Sequence, residues 1–340
     1  MAPSQRPVIL SLTKMHEAGM SLLREASELR MASGVTPEIL RGEVVGADGL
    51  IIRTGGTVDA ALMDCGKDLR VVGRHGVGYD AIDIDAATAR GIQVVYTPGA
   101  NTQSVAEHVF AMMIGLSKHF TRMGKAVEAY DYHARTKHTG RDLFGRTLGL
   151  IGFGRIGRRV GVMARAAFEM PVLYNDIVAA PPEVEEQAGA TRVSFEEVLK
   201  RSEYVSLHVP LDPSTQGLID RRAVSLMRAD AILINACRGP VVVESAVAEA
   251  LDAGKLWGYG ADVFEHEPEL AGNPLIGRDD VMFTPHSAAQ SEEGLSNMAR
   301  GVAEDVLGVL RGDRPRNPVN DPEAVEASRR RLGLAPLFRT

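Results

Sequence analysis

Short apolar runs separated by longer amphipathic stretches recur along the chain. In the first hundred residues the runs fall at 7–12, 50–52, 69–72 and 93–96. Each is short enough, and flanked in the right way, to be a buried strand. Helical patterns lie between them; one spans residues 82–90 and stops at Gly91, where a C-terminal cap belongs. Alternation of this kind predicts a parallel sheet with helices on both faces. Residues 101–120 read as a long helix, with Val105, Val109, Met112, Met113 and Leu116 on one face. The pattern turns polar over 121–146, which reads as a connection or an arm across a partner subunit. From Leu148 the strand–helix rhythm resumes, with later strands expected at 204–208, 231–235, 259–264 and 281–284, and a capping box at Ser194 and Glu197. A helix over 291–310 would return the chain to the first domain, leaving a short basic tail after Asn320. The expected organisation is a discontinuous domain of residues 1–100 and 290–340, and a second domain of residues 101–289.

The most informative stretch begins at Leu148. The apolar run Leu148-Gly149-Leu150-Ile151 leads into Gly152-Phe153-Gly154-Arg155-Ile156-Gly157, a G-x-G-x-x-G. An amphipathic segment follows, with Ile156, Val160, Met163, Ala164 and Ala167 on one face. A second apolar run, 171–174, ends at Asp176. Strand, glycine turn, helix, strand and acid together form a dinucleotide-binding pattern. Gly152 permits the tight turn, Gly154 lets backbone approach a pyrophosphate, and Gly157 lets helix and strand pack closely. The helix N-terminus offers N–H groups and partial positive charge to phosphates. Asp176 would accept hydrogen bonds from the adenosine ribose and repel a 2′-phosphate. No basic residue follows it in Ile177-Val178-Ala179-Ala180, so NAD is expected rather than NADP.

Composition narrows the classes without choosing among them. The chain has 340 residues, 38 basic against 44 acidic, for a net charge of −6, which gives no sign of a nucleic-acid surface. Its apolar runs fall far short of the roughly 20 residues of a membrane span. The N-terminal MAPSQRPVIL lacks a signal-peptide core. Cys65 and Cys237 form no metal-type cluster, and no metal is expected. A cytoplasmic protein with reduced thiols is the reading.

Three strand ends in the second half carry reactive side chains: Asn235-Ala236-Cys237-Arg238-Gly239, Asp262-Val263-Phe264-Glu265-His266-Glu267-Pro268, and Thr284-Pro285-His286-Ser287. In a doubly wound sheet ligands lie beyond the carboxyl ends of the strands. An arginine, a carboxylate and a histidine are what reduction of a 2-keto acid requires. Arginine clamps a carboxylate with two hydrogen bonds, histidine gives the carbonyl oxygen a proton, and the acid fixes the histidine tautomer.

With these blocks, and with Gly73-Arg74-His75-Gly76-Val77-Gly78-Tyr79-Asp80 and Asn101-Thr102-Gln103-Ser104-Val105-Ala106-Glu107-His108, the chain resembles the NAD-dependent D-2-hydroxyacid dehydrogenases over almost its whole length. That family includes phosphoglycerate, glyoxylate/hydroxypyruvate and D-lactate dehydrogenases. The resemblance implies an α/β fold of two doubly wound parallel-sheet domains, a Rossmann-type cofactor domain and a flavodoxin-like substrate domain. It assigns Arg238, Glu267 and His286 as catalytic, with Glu267 rather than Glu265 as the acid before the proline. The same likeness gives Arg155, Ile156, Asp176, Val209, Pro210, Ala236, Asp262 and Ala288 as cofactor contacts beside Gly152, Gly154 and Gly157. Asp262 is expected near the nicotinamide carboxamide. Gly76, Val77 and Gly78 are expected to hold the substrate carboxylate through backbone N–H groups. Arg53 and His75 are candidates for the substrate tail, which favours small polar or acidic keto acids. A homodimer is also implied. His75, Tyr96 and Ser287 depart from the common family pattern.

Plainer roles are expected elsewhere. Helix packing accounts for His108, and a strand-end hydrogen bond for His208. Cys237 reads as a small buried hydrophobe, Met112 and Met113 as core, and the acids of 183–186 as a solvated face. Two other functions fit the same residues: oxidation of a phosphite-type anion, and an NAD-sensing interaction protein of the corepressor kind.

Overall fold

The computed structural model describes residues 6–339. The chain divides into two compact units. One contains the residues up to Asn101 together with those from Ser291 onward, and the other is Thr102–Gln290.

The first unit is built on five strands: β1 (Val8–Ser11), β2 (Glu28–Met31), β3 (Gly49–Ile52), β4 (Val71–Arg74) and β5 (Gln93–Val95). All pair in parallel, in the order β2-β1-β3-β4-β5, the flavodoxin-like order. Four of the five strands are almost wholly buried, because helices cover both faces. β2 is the exception. Its sequence Glu-Leu-Arg-Met is largely exposed at the sheet edge, so it carries no apolar run, and the sequence pattern does not reveal it.

The helix Glu292–Arg311, N-capped by Ser291, lies on this sheet through Val302 and Val306. A side chain on Gly73 of β4 would overlap both valines, so glycine there permits the close approach. The residues after Asn320 are not a loose tail. They form the helix Pro322–Arg331 and bury Val325, Leu337 and Phe338 in the core.

The second unit has seven strands: β6 (Leu148–Ile151), β7 (Val172–Asn175), β8 (Ala190–Arg192), β9 (Tyr204–Leu207), β10 (Ile232–Asn235), β11 (Gly258–Ala261) and β12 (Val281–Phe283). They run parallel in the order β12-β11-β10-β9-β6-β7-β8, a Rossmann order extended by one strand. The short polar edge strand β8, like β2, leaves no apolar signal. Met112 and Met113 of the helix Thr102–Ser117 are core residues, and the Ser194–Glu197 capping box forms reciprocally. The polar stretch after this helix is more ordered than its composition implies, holding the helices Phe120–Glu128 and Ala134–Lys137. Among the described residues no helix is long and apolar enough to cross a membrane.

The edge strand β5 of the first unit is closed by residues of the returning C-terminal segment. Val319 N–H donates to the Val94 carbonyl at 2.8 Å, and Pro318 bridges Val95 in antiparallel fashion. Asn320 completes the seal: its Oδ1 accepts from Val94 N–H at 2.7 Å and its Nδ2 donates to the Ile92 carbonyl at 2.9 Å. Both backbone groups are buried, and each loses its partner in Asn320→Ala. At about 1–3 kcal/mol for each unsatisfied group, the variant should lose roughly 2–6 kcal/mol, read as a lower urea midpoint. A midpoint unchanged from wild type would show that this seal is not a stabilising element.

Candidate active site

The glycine turn after β6 is shaped by what cannot fit there. Gly152 has φ 91°, and a side chain on it would overlap the carbonyl oxygen of His208. A side chain on Gly157 would overlap the carbonyl of Gly152 itself. Gly154 differs: a side chain there would meet nothing within 4 Å, so its backbone lies open to an incoming group. It is also the N-cap of the helix Arg155–Phe168, and no side chain caps that end. An open backbone at an uncapped helix N-terminus fits a pyrophosphate.

Asp176 accepts two backbone hydrogen bonds. Its Oδ2 accepts the Phe153 N–H of the glycine turn at 2.6 Å, and its Oδ1 accepts the Val178 N–H at 2.9 Å. Arg192 of β8 donates to the Asp176 carbonyl at 2.8 Å. A cation therefore stands beside Asp176 in space, although none follows it in sequence. Strand pairing brings it there, since Tyr174 of β7 is in register with Arg192. Ile177 and Val178 are exposed next to this acid. Val209 borders the glycine turn, 3.1 Å from where a Gly152 side chain would begin. Under the same turn, His208 bonds Ser206 Oγ through Nε2 at 3.0 Å, and burial pushes its pKa down to about 3.

The loops after β10, β11 and β12 hold the arginine, the acid and the histidine. The Asn235 side chain spans the first of them: its Nδ2 donates to the Arg238 carbonyl at 2.9 Å and its Oδ1 accepts the Cys237 N–H at 3.1 Å. The Cys237 thiol also bonds Asn235, and burial raises its pKa to about 11, so it is no nucleophile at neutral pH. Gly239 packs directly on the Phe264 backbone with no room for a side chain, so the first loop lies against the second. Ala236 is partly buried against the core.

Glu267 is held from both sides. Its Oε1 accepts the Phe264 N–H and its Oε2 meets His286 Nδ1, each at 2.8 Å. Burial works against the charge on Glu267. The hydrogen bonds from His286 and Phe264 outweigh it, the charge of Arg238 adds to them, and the carboxyl is held below its usual range. An ionised Oε2 requires a proton on His286 Nδ1, which leaves Nε2 as the nitrogen free to exchange a proton. Glu265 is occupied elsewhere, exchanging backbone–carboxylate bonds with Glu244 at 3.0 and 3.2 Å. Asp262 is 1% exposed, and its carboxylate accepts the N–H groups of Ser287 and Ala288. Among the described residues no group of histidines, cysteines and acids could hold a metal ion.

In the first unit the 76–78 loop follows β4. Gly76 N–H donates to Thr97 Oγ1 at 3.0 Å, so it is already engaged. The expectation that three successive amides face a carboxylate therefore narrows to Val77 and Gly78. Two residues that spacing alone did not single out shape this loop: Thr97, and Arg74, whose guanidinium donates to the carbonyls of Gly78 and Arg53. Tyr79 and Tyr96 meet edge to face at 5.9 Å beside it. His75 is 2% exposed, and neither ring nitrogen reaches a partner with good geometry. Burial, with Arg53 close by, pushes its pKa down to about 4, so it is neutral at physiological pH.

Residues 110–288 match the family described as D-isomer specific 2-hydroxyacid dehydrogenase, NAD binding domain. The chain is 36% identical to a glyoxylate reductase of Korarchaeum cryptofilum, over 93% of this chain and 96% of that one. It is 38% identical to a D-3-phosphoglycerate dehydrogenase of Methanocaldococcus jannaschii, covering 92% of this chain but 59% of the relative. The chain thus spans little more than half the length of the phosphoglycerate dehydrogenases it matches. Among solved structures, a D-lactate dehydrogenase from Aquifex aeolicus complexed with NAD and lactic acid superposes with a TM-score of 0.81. That similarity extends over 90% of this chain and 96% of that one, at 30% identity.

Proposed function

The chain belongs to the D-isomer specific 2-hydroxyacid dehydrogenase family, and from that premise we propose that it is an NAD-dependent oxidoreductase acting on a small 2-keto or D-2-hydroxy acid. The observation that carries this reading is the His286–Glu267 pair at 2.8 Å, with the charge of Arg238 acting on the same carboxylate. When bound, NAD(H) supplies or takes the hydride. Arg238 binds the substrate carboxylate and polarises the keto oxygen, and His286 Nε2 gives that oxygen its proton. Glu267 accepts from Nδ1, which fixes the tautomer and steadies the ring. Val77 and Gly78 offer backbone N–H groups to the carboxylate, with Gly76 setting the turn. NAD contacts fall to the 152–157 turn, Asp176, Val209, Pro210, Ala236, Asp262 and Ala288.

Arg53 and His75 are assigned to the substrate tail. A neutral, unpartnered imidazole suits a hydroxyl or carbonyl better than a bulky aliphatic chain, which would leave its nitrogens unsatisfied. Consumption of NADH against a panel of 2-keto acids tests the whole reading. Glyoxylate or hydroxypyruvate should outperform 2-ketoisocaproate, with the D alcohol as product. Best turnover of 2-ketoisocaproate would overturn the tail assignment. No turnover of any keto acid, despite tight NADH binding, would point instead to an NAD-sensing interaction protein.

A homodimer is part of the proposal. Phe120, Val127, Tyr130 and Tyr132 are exposed in and just after the helix Phe120–Glu128, an apolar patch suited to a second copy. A stable monomer by light scattering at micromolar concentration would contradict it.

The catalytic assignment predicts graded losses. His286→Ala should lower kcat by roughly 10²–10⁴-fold. Arg238→Lys should also be severe, because a point charge cannot reproduce the two-donor fork. Glu267→Gln should cost less, because an amide oxygen can still accept from His286 Nδ1 while the fixed charge is lost. Near-normal turnover in all three variants would mean that the site lies elsewhere.

Cofactor choice should rest on one carboxylate. With Asp176 present, NADH should be preferred. Because Arg192 already stands beside it, Asp176→Ser alone should narrow the gap in kcat/KM between the two cofactors. Adding Arg192→Ala should reopen it. Equal use of NADPH by the wild type would defeat the assignment.

A further inference from the structure

His286 has φ 50°, a left-handed backbone that residues other than glycine adopt sparingly and keep only where the surroundings over-determine it. Its own N–H is bonded to the Asp262 carbonyl at 2.7 Å and to the Thr284 carbonyl at 3.0 Å. The next two amides are fastened to a single side chain: Ser287 N–H to Asp262 Oδ1 at 2.7 Å and Ala288 N–H to Asp262 Oδ2 at 2.9 Å. Thr284, two residues before His286, donates its hydroxyl proton to the same Oδ1 at 2.6 Å. That hydroxyl has only one proton to give, so its contact with His108 Nε2 at 2.9 Å must be one that it accepts. His108 is thereby fixed with its proton on Nε2. A directed chain runs from His108 to Thr284 to Asp262, ending in a carboxylate that grips the backbone on the far side of His286.

We propose that Asp262, Thr284 and His108 form a positioning clamp that holds His286 in its left-handed conformation and so keeps its ring on Glu267. This rests on the reading of His286 as the proton donor. It adds a structural role to the proposed cofactor contact of Asp262, since its two oxygens accept from three donors. It also gives His108 a function beyond helix packing. None of the three touches the reacting atoms; they act through the placement of His286. Directional hydrogen bonds suit that task, because a shift of about an ångström in a catalytic group is enough to cost a large factor in rate.

The test compares Thr284→Val with Thr284→Ser, and His108→Leu with His108→Gln, which returns a donor near the place of Nε2. Three quantities are read: kcat for keto-acid reduction, the Kd of NADH by fluorescence, and the Cε1–H signal of His286 in histidine-labelled enzyme, assigned by its loss in His286→Gln. Thr284→Val should lower kcat by roughly 10- to 100-fold while the Kd of NADH stays within about twofold. The His286 signal should move or broaden. Serine should restore all three quantities, and the His108 pair should repeat the pattern more weakly. A wild-type kcat with an unmoved signal in Thr284→Val would overturn the clamp. So would a weakening of NADH binding in proportion to kcat, which would return Asp262 to the cofactor. If Thr284→Val fails to fold, His108→Leu, at a partly exposed position, carries the same comparison. If the wild type reduces no keto acid, the functional reading falls, while the His286 signal still decides whether the clamp exists.

Discussion

Parallel pairing is the constraint on which the rest of the structure depends. Every named strand pair in both units runs parallel, so within each sheet all carboxyl ends emerge on one edge. A parallel sheet must be covered on both faces, which keeps its middle strands apolar and leaves chemistry only to the residues just beyond their ends. In the second unit the turn after β6 is the glycine loop, β7 leads to Asp176, β9 to His208, β10 to Arg238, β11 to Asp262 and Glu267, and β12 to His286. No single loop carries the site. Neighbouring strands deliver its parts side by side: β10, β11 and β12 lie next to one another in chain order, and the sheet departs from chain order where β6 meets β9.

Loops at such an edge must still be held in place, and here carboxylates accept backbone N–H groups both within and between them. Asp176 reaches back to Phe153, Glu267 to Phe264, and Asp262 across to Ser287 and Ala288. An acid bonded in this way satisfies amides that a loop would otherwise leave unpaired. Glycine provides the complementary device. At Gly152 and Gly239 two backbones approach so closely that any side chain would overlap a carbonyl, and only its absence lets the loops meet.

What linear reading could and could not see follows from this arrangement. The buried strands, the glycine turn, the capping box and the Arg238, Glu267 and His286 blocks are legible because each is a local pattern of burial or residue type. β2 and β8 are not, because an edge strand has no need of an apolar run. Arg192 was invisible for a different reason: it lies beside Asp176 through strand register, sixteen residues further along the chain. The same holds for Thr97, whose hydroxyl takes the Gly76 amide from another loop. Motif matching found Gly76 but not the fact that its N–H was already engaged. Composition misjudged the 322–339 segment, because Arg329, Arg330 and Arg331 mask the buried Val325, Leu337 and Phe338.

The histidines show why residue type alone could not assign chemistry. His75 is buried and His208 partly so, and desolvation drives the pKa of each far below neutrality, to about 4 and about 3. A histidine that cannot hold a proton at working pH cannot serve as the acid in keto-acid reduction, however close to the site it lies. It can still act as a neutral hydrogen-bonding group, as His208 does with Ser206. His286 is half exposed, and its one fixed neighbour is a carboxylate kept ionised by its other partners. That pairing engages Nδ1 and leaves the second nitrogen without this partner. The sequence places histidines beside the glycine turn, beside the substrate loop and after the last strand. What separates the three is burial and the nearest carboxylate. Both are set by tertiary contacts that no spacing along the chain encodes.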